Sequence, residues 1–372
     1  MPGEGILAAW SLAGIAWWIL AWCLVGADSK RSIAVRAENR EPVTIFKPLP
    51  PLGRKGIAPY EAGLRFFAMQ LEAGDQMLIG VHEEDRARAE VFFDSLRAAN
   101  VGTRIDVVFR READTQANPK IAWQVVLAPH AVNALWLWSD ADIVVPPGAL
   151  PAMVAELQAP FRLVTWPYVI RQAPCAPALL ETLFVNAEFL PGVLLLRRFE
   201  PVDFGLGAGM LFRRDDFAQS VRWEDLGSRL ADDFHLGQKL QPVRIGTTTL
   251  ETVAGDSTWA QAIAHDLRWS KTVRWTRPGG SIARILVLPV AGWLVAVALH
   301  PLQSWAWAGL ILMLQVDALA AWALCRATGC RLRTSHLILL EAWALWRVTL
   351  WVVCWLPGPI TWHGRIWRSG QA

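Results

Sequence analysis

The sequence predicts an α/β domain built on a mainly parallel sheet and tethered to a membrane at both ends. Three observations carry this reading. From about Val43 to about Arg277, short β-rich runs alternate with helical patterns. Apolar stretches long enough to cross a bilayer flank that region. Polar residues, several of them acids, follow the strand runs, where open α/β sheets bind their ligands. Of the 372 residues, 53% are hydrophobic and 19% charged, so part of the chain belongs in lipid. A net charge of +3 without a long basic run argues against a nucleic-acid partner. The five cysteines are scattered and form no CxxC pair, so neither a disulfide framework nor a zinc site is indicated. The 22 tryptophans fit amphipathic rings at headgroup level.

The first membrane element is Gly5 to Ala27, which contains no charge and spans about 30 Å of hydrocarbon as a helix. No basic segment precedes it, which disfavours a cleaved signal peptide. Three more stretches follow the domain: Ile282 to Leu299, Trp305 to Leu324 and Leu337 to Leu356, the first two joined as a hairpin. Lys30, Arg31, Arg36, Arg40 and Lys47 come after the first helix, and Arg268, Lys271, Arg274, Arg277 and Arg284 lead into the second. The positive-inside rule therefore puts the central domain in the cytosol, as in a bacterial inner-membrane protein. If the last stretch spans, the tail bearing Arg365 and Arg368 falls on the far side; if it is re-entrant, the tail stays on the near side. Asp317 and Arg347 lie within apolar stretches and require a partner, either each other or a substrate. The expected organisation is an anchor over 1–28, a catalytic domain over 29–278, a membrane cluster over 279–358 and a tail over 359–372.

Within the domain, the runs 43–46, 77–81, 105–109 and 135–138 read as strands. Tyr60, Leu64, Phe67 and Leu71 recur at helical spacing between the first two, giving βαβ order. Lys47-Pro48 follows the first strand, Glu83-Glu84-Asp85 the second and Ser139-Asp140-Ala141-Asp142 the fourth. Asp140 and Asp142 offer two hard oxygen ligands at a strand end, suited to Mn²⁺ or Mg²⁺ with a nucleotide diphosphate; two solvated loop acids are the alternative. Asp232-Asp233 precedes a helix start, where an acid serves either as N-cap or as the base that deprotonates an acceptor hydroxyl. His265 to Trp269 opens an aromatic and basic stretch, able to bind diphosphate and stack on a ring. For Lys271, Arg274 and Arg277 a juxtamembrane collar on anionic lipid is the competing reading.

Lys47-Pro48-Leu49, the acid after the second strand, Asn118-Pro119-Lys120, Asp140, Asp232-Asp233-Phe234 and Arg268-Trp269 together resemble the ceramide glucosyltransferase family, including its bacterial relatives in hopanoid lipid biosynthesis. The tail Ile360 to Arg365 is similar to that family's, and Phe184 to Pro191 with Phe204 to Met210 looks closer to the bacterial branch. The resemblance implies a GT-A fold, a UDP-sugar donor, a membrane-lipid acceptor and an inverting single displacement. It further implies that Lys47, Pro48, Asp85, Lys120 and Asp140 meet the nucleotide sugar, with Glu83 or Glu84 as alternatives to Asp85. Asp140 and Asp142 would hold the metal, Asp233 would act as catalytic base, and His265, Arg268 and Trp269 would face the diphosphate and acceptor. His265 departs from the family's Gln or Arg at that position. A processive polysaccharide synthase and an inactive membrane scaffold are the other readings.

Overall fold

The computed structural model describes residues 2–30, 40–111, 116–255, 257–333 and 336–371; Arg31 and Arg36 lie outside them. Four strands form where the β-rich runs predict: β1 (Val43–Pro48), β2 (Gln76–His82), β3 (Arg104–Arg110) and β4 (Leu135–Trp138). They pair in parallel in the order β3-β2-β1-β4. The helix Ala58–Ala68 crosses between β1 and β2 with Leu64 and Phe67 fully buried, as its spacing predicts.

The remaining strands are short and were not anticipated: β5 (Ile143–Val144), β6 (Leu163–Thr165), β7 (Tyr168–Ile170), β8 (Met210–Arg213), β9 (Val243–Ile245) and β10 (Leu250–Thr252). β8 joins β4 antiparallel, and β6 and β9 complete a seven-stranded sheet in which β8 runs against the others. That reversal shapes the site. Trp138 stands opposite Met210, so the Gly207–Gly209 approach to β8 runs beside the acids that follow β4. β5, β10 and β7 form a second, smaller sheet under the same acids.

Both faces of the large sheet are covered. On one, Ile45, Leu137 and Ile79 pack with Leu64 and Phe67; on the other, Phe46, Trp136, Trp138 and Phe212 pack with Phe217 and Leu236. Trp138 and Trp166 are fully buried here, so part of the tryptophan excess fills the domain core and not the headgroup layer.

Among the described residues, three helices are long and apolar enough to cross a membrane: Glu4–Ser29, Ala178–Phe199 and Ser304–Ala327. Ala178–Phe199 is not among the stretches expected from the sequence to lie in the membrane. The predicted second span is broken, with Pro278–Val287 and Pro289–Leu299 bent by 65° at Leu288. Leu337–Val353 is helical but short. Its two ends lie against the same domain. On the leading side, Arg331 N–H donates to Arg171 O at 3.0 Å; on the trailing side, Arg274 Nη1 donates to Trp355 O at 3.2 Å. The tail folds back as β11 (Ile360–Trp362) and β12 (Arg365–Trp367), with Arg365 bonded to the carbonyls of Gln116 and Ala117 and Leu230 N–H to Gln371 O. The tail thus packs on the central domain. Asp317 and Arg347 pair at 2.7 Å, and Trp18 Nε1 donates to the other Asp317 oxygen at 2.7 Å.

Candidate active site

The carboxyl ends of β1 and β4 open into a cavity of ≈ 1130 Å³. Asp140, Asp142, Asp232 and Asp233 line it, with Lys120 and Arg268 as cations among them. Backbone order explains the convergence. Phe46 pairs with Trp138, so Pro48 and Asp140 emerge side by side two residues later. Ser139 Oγ donates to Ala208 O at 2.8 Å, which locks the acid turn to the glycine run before β8.

Lys120 is delivered by the helix Pro119–Leu127, whose N-cap Asn118 accepts from the N–H groups of Lys120 and Ile121. Such a cap is worth about 1 kcal/mol. The same Asn118 donates to Asp232 Oδ1 at 3.1 Å, tying the lysine element to the paired acids. Lys120 Nζ lies 2.5 Å from Asp140 Oδ1 and 3.9 Å from Asp232 Oδ2. Burial alone would depress this ammonium, but Asp140, Asp232 and Asp233 outweigh it and hold its proton above the usual lysine range.

Asp232 and Asp233 begin the helix Asp232–Lys239, yet Ala231 is its N-cap and no side chain caps it. Asp233 Oδ2 instead accepts the Gly207 N–H at 3.0 Å and Oδ1 accepts the Phe234 N–H at 2.8 Å, fixing its plane. Asp232 Oδ2 is buried without a hydrogen-bond partner. Burial raises both carboxyls, that of Asp232 to about 6. Asp142 is raised as well, by burial and then by Asp140, while its Oδ2 accepts from Thr252 Oγ1 at 2.8 Å.

Gly207 is the meeting point. A Cβ there would sit 3.1 Å from Asp140 Oδ2, 3.1 Å from Lys120 Nζ and 3.5 Å from Asp233 Oδ2. Because the two nearest atoms end flexible side chains, Gly207→Ala is expected to keep its melting temperature and lower kcat/KM about 10-fold through displaced carboxylates. Gly237→Ala is the contrasting control. Its Cβ would meet the Phe204 and Gly205 backbone at 2.3–2.4 Å, so thermal stability should fall instead.

Two expected donor-site residues lie elsewhere. Lys47 is wholly buried, donating to Ser139 Oγ at 3.0 Å, Asp140 O at 2.8 Å and Ile143 O at 3.3 Å with its ammonium 4.0 Å from the Phe67 ring centre. Desolvation lowers its pKa to about 7. Lys47 thus braces the acid turn from beneath, because a buried ammonium requires acceptors and the turn's carbonyls supply them. Asp85 does not line the cavity; its Oδ2 accepts the Leu52 N–H at 2.9 Å and pins the loop after β1. Pro48 does line the cavity, and so does His82, which ends β2 and accepts from Trp123 Nε1 at 3.3 Å. Neither His82 nor Trp123 was anticipated, although Gly80 within β2 signals a close approach: a Cβ there would touch Trp123 at 2.6 Å.

On the opposite wall, the helix Trp259–Thr276 presents His265, Arg268 and Trp269 to the cavity. Burial and the neighbouring Arg268 lower His265 to about 3, so it is neutral and brings no charge to a diphosphate. Trp269 stands edge-on to Tyr168, Phe184 and Phe189, with ring centres 5.4–6.4 Å apart. Arg268 carries its guanidinium 5.7 Å from the Trp362 ring centre, which brings the tail hairpin into the site. The described residues contain no cluster of three or more His, Cys, Asp or Glu suited to a metal ion. Asp140 and Asp142 nevertheless fit a hard cation that takes its other ligands from phosphate and water, since Mg²⁺ sites of that kind use one or two carboxylates.

Residues 7–371 match the sequence model of glycosyl transferase family 21. No curated protein matches the chain. Among solved structures, a mannosyltransferase from Pyrobaculum calidifontis in complex with GDP-Man and Mn²⁺ is similar at a TM-score of 0.51 and 14% identity, over 94% of this chain and 98% of that one. A glucosyl-3-phosphoglycerate synthase from Mycobacterium tuberculosis in complex with Mg²⁺ and UDP gives a TM-score of 0.35 at 13% identity, over 63% of this chain and 79% of that one. The architecture is of the GT-A type.

Proposed function

Because the chain belongs to glycosyl transferase family 21, we propose that it moves a sugar from a UDP-sugar to a hydroxyl of a membrane lipid, with inversion at the anomeric carbon. One observation carries this reading: a single cavity is lined by the four acids, two after β4 and two at a helix start, and by Trp17, Val287 and Arg347 of the membrane elements. An acceptor could thus reach the acids without leaving the apolar phase.

In this mechanism Asp233, held by two backbone N–H groups, takes the acceptor proton as the oxygen attacks the anomeric carbon and the bond to UDP breaks. Lys120 favours the ionised form of that carboxylate, and Arg268 faces the departing diphosphate. A bound Mn²⁺ or Mg²⁺ on Asp140 and Asp142 would neutralise charge on the leaving group. The acceptor is a ceramide-like lipid or a hopanoid polyol. The catalytic domain, residues 29–278, faces the cytosol, where Lys30 and Arg326 stand at helix ends. Leu337–Val353 is one unbroken helix with both flanks on the domain, so in this reading it lies along the membrane face without crossing, which leaves the tail on the catalytic side.

Mass spectrometry of lipids incubated with the protein and UDP-sugars tests the proposal; a single-sugar lipid supports it, and a polymer or no product overturns it. The raised acid pair adds a pH signature. A base must be deprotonated to act, and burial raises the Asp233 carboxyl, so kcat/KM should begin to fall on the acid side at a higher pH than the ordinary carboxylate range near ~4.

A further inference from the structure

At its membrane end the cavity is walled by charged side chains that the transfer chemistry does not use. Glu188 accepts from Arg347 Nε at 2.5 Å with one oxygen and pairs with Arg284 through the other. Arg347 continues to Asp317 at 2.7 Å, so two guanidinium groups and two carboxylates balance to zero. Glu188, Arg284 and Arg347 all line the cavity, although only 10%, 20% and 2% of their side-chain surfaces are exposed. Glu188 sits in a π-helical turn, Phe184–Phe189, a local irregularity that often marks a functional position. The Asn186 amide holds that turn in place by exchanging two hydrogen bonds with the Ile170 backbone.

Two side chains of the cavity lining carry polar atoms without a hydrogen bond that the transfer chemistry does not use. Arg284 Nε and Ser270 Oγ are buried without a hydrogen bond, and Ser270 is only 5% exposed. Leaving a buried donor unpaired carries the full desolvation penalty, which an oxygen from an occupant would remove. A neutral occupant suits a network whose charges already cancel, whereas an anion would confront Glu188. We propose that Glu188, Arg284 and Arg347 form a headgroup subsite that binds an uncharged oxygen of the acceptor, a hydroxyl or an amide or ester carbonyl, other than the hydroxyl that receives the sugar. The proposal rests on the lipid-acceptor reading of the cavity.

Calorimetry on the full chain in detergent micelles tests it with dodecylglycerol, dodecanol and dodecyl phosphate. Wild type should bind dodecylglycerol about 10-fold more tightly than dodecanol, the scale of a charge-assisted hydrogen bond, and dodecyl phosphate no more tightly than dodecylglycerol. Arg284→Gln should bring the glycerol-to-alcohol ratio to within about twofold with UDP affinity unchanged, and Arg284→Lys should fall between. Equal binding of dodecylglycerol and dodecanol by wild type overturns the subsite, as does tighter binding of the phosphate or an unaltered ratio in Arg284→Gln. Should Arg284→Gln lose UDP binding as well, the wild-type ratios and Arg284→Lys decide. A wild type that shows the preference but transfers sugar to no lipid defeats the transfer reading and leaves the subsite standing; transfer without dependence on Arg284 does the reverse.

Discussion

An Asp233→Asn variant is expected to bind UDP as wild type does and to transfer sugar about 10³-fold more slowly, the usual worth of a positioned general base. The substitution is close to isosteric, and an amide oxygen can still accept the Gly207 N–H that Asp233 Oδ2 accepts at 3.0 Å. Folding and donor affinity should therefore survive, and a loss confined to kcat isolates proton transfer. Asp232 provides the internal comparison. Its Oδ1 is engaged by Asn118 and its Oδ2 has no hydrogen-bond partner, so Asp232→Asn could leave Asp233 working in a less acidic neighbourhood. Asp233 raises Asp232 by repulsion, whereas Asp233 itself is raised by burial and by Asp140, so removing Asp232 should leave the acid limb of the pH profile in place. A kcat that survives in Asp233→Asn and disappears in Asp232→Asn would exchange the two roles.

The first half of the sheet was legible because β1, β2 and β4 are buried apolar runs with polar residues after them, and β3 carries the β-rich run Ile105 to Phe109. β6 to β10 are three or four residues long and are defined by long-range pairing, which a local pattern does not encode. The acids were found because residue type and position after a strand restrict what they can do. Which cations face them was not legible. Lys47 and Lys120 both follow family-like motifs, but only tertiary packing decides that one is sealed beneath the acid turn and the other stands within it. Asp85 illustrates the same limit, since an acid after a strand can cap a loop as readily as meet a nucleotide. The membrane pattern was legible in its apolar length and not in its path: the bend at Leu288 and the return of the tail depend on contacts with the domain.

Replacing Asp140 by Ala should weaken UDP binding in the presence of Mn²⁺ about 10²-fold while leaving the melting temperature nearly unchanged. The stability argument is geometric. With 42% of its side chain exposed at a strand end, Asp140 contributes little apolar packing, and an ion pair open to solvent contributes little to folding. The binding argument is electrostatic. Asp142 already has one oxygen on Thr252, so losing Asp140 removes the carboxylate with more freedom to meet a cation and its phosphates. Lys120, released from its contact at 2.5 Å, would retain Asp232 at 3.9 Å and draw nearer to the base pair. Asp140 also raises both Asp232 and Asp233 by repulsion, so its removal and the freed ammonium act in the same direction, toward lower pKa values. The variant thus carries two coupled signatures, weaker donor binding by calorimetric titration and acid-pair titration shifted to lower pH by NMR. Unchanged UDP and Mn²⁺ affinity would remove Asp140 from the cation site, whereas an unshifted acid pair would show that Lys120 and Asp140 act on the donor alone.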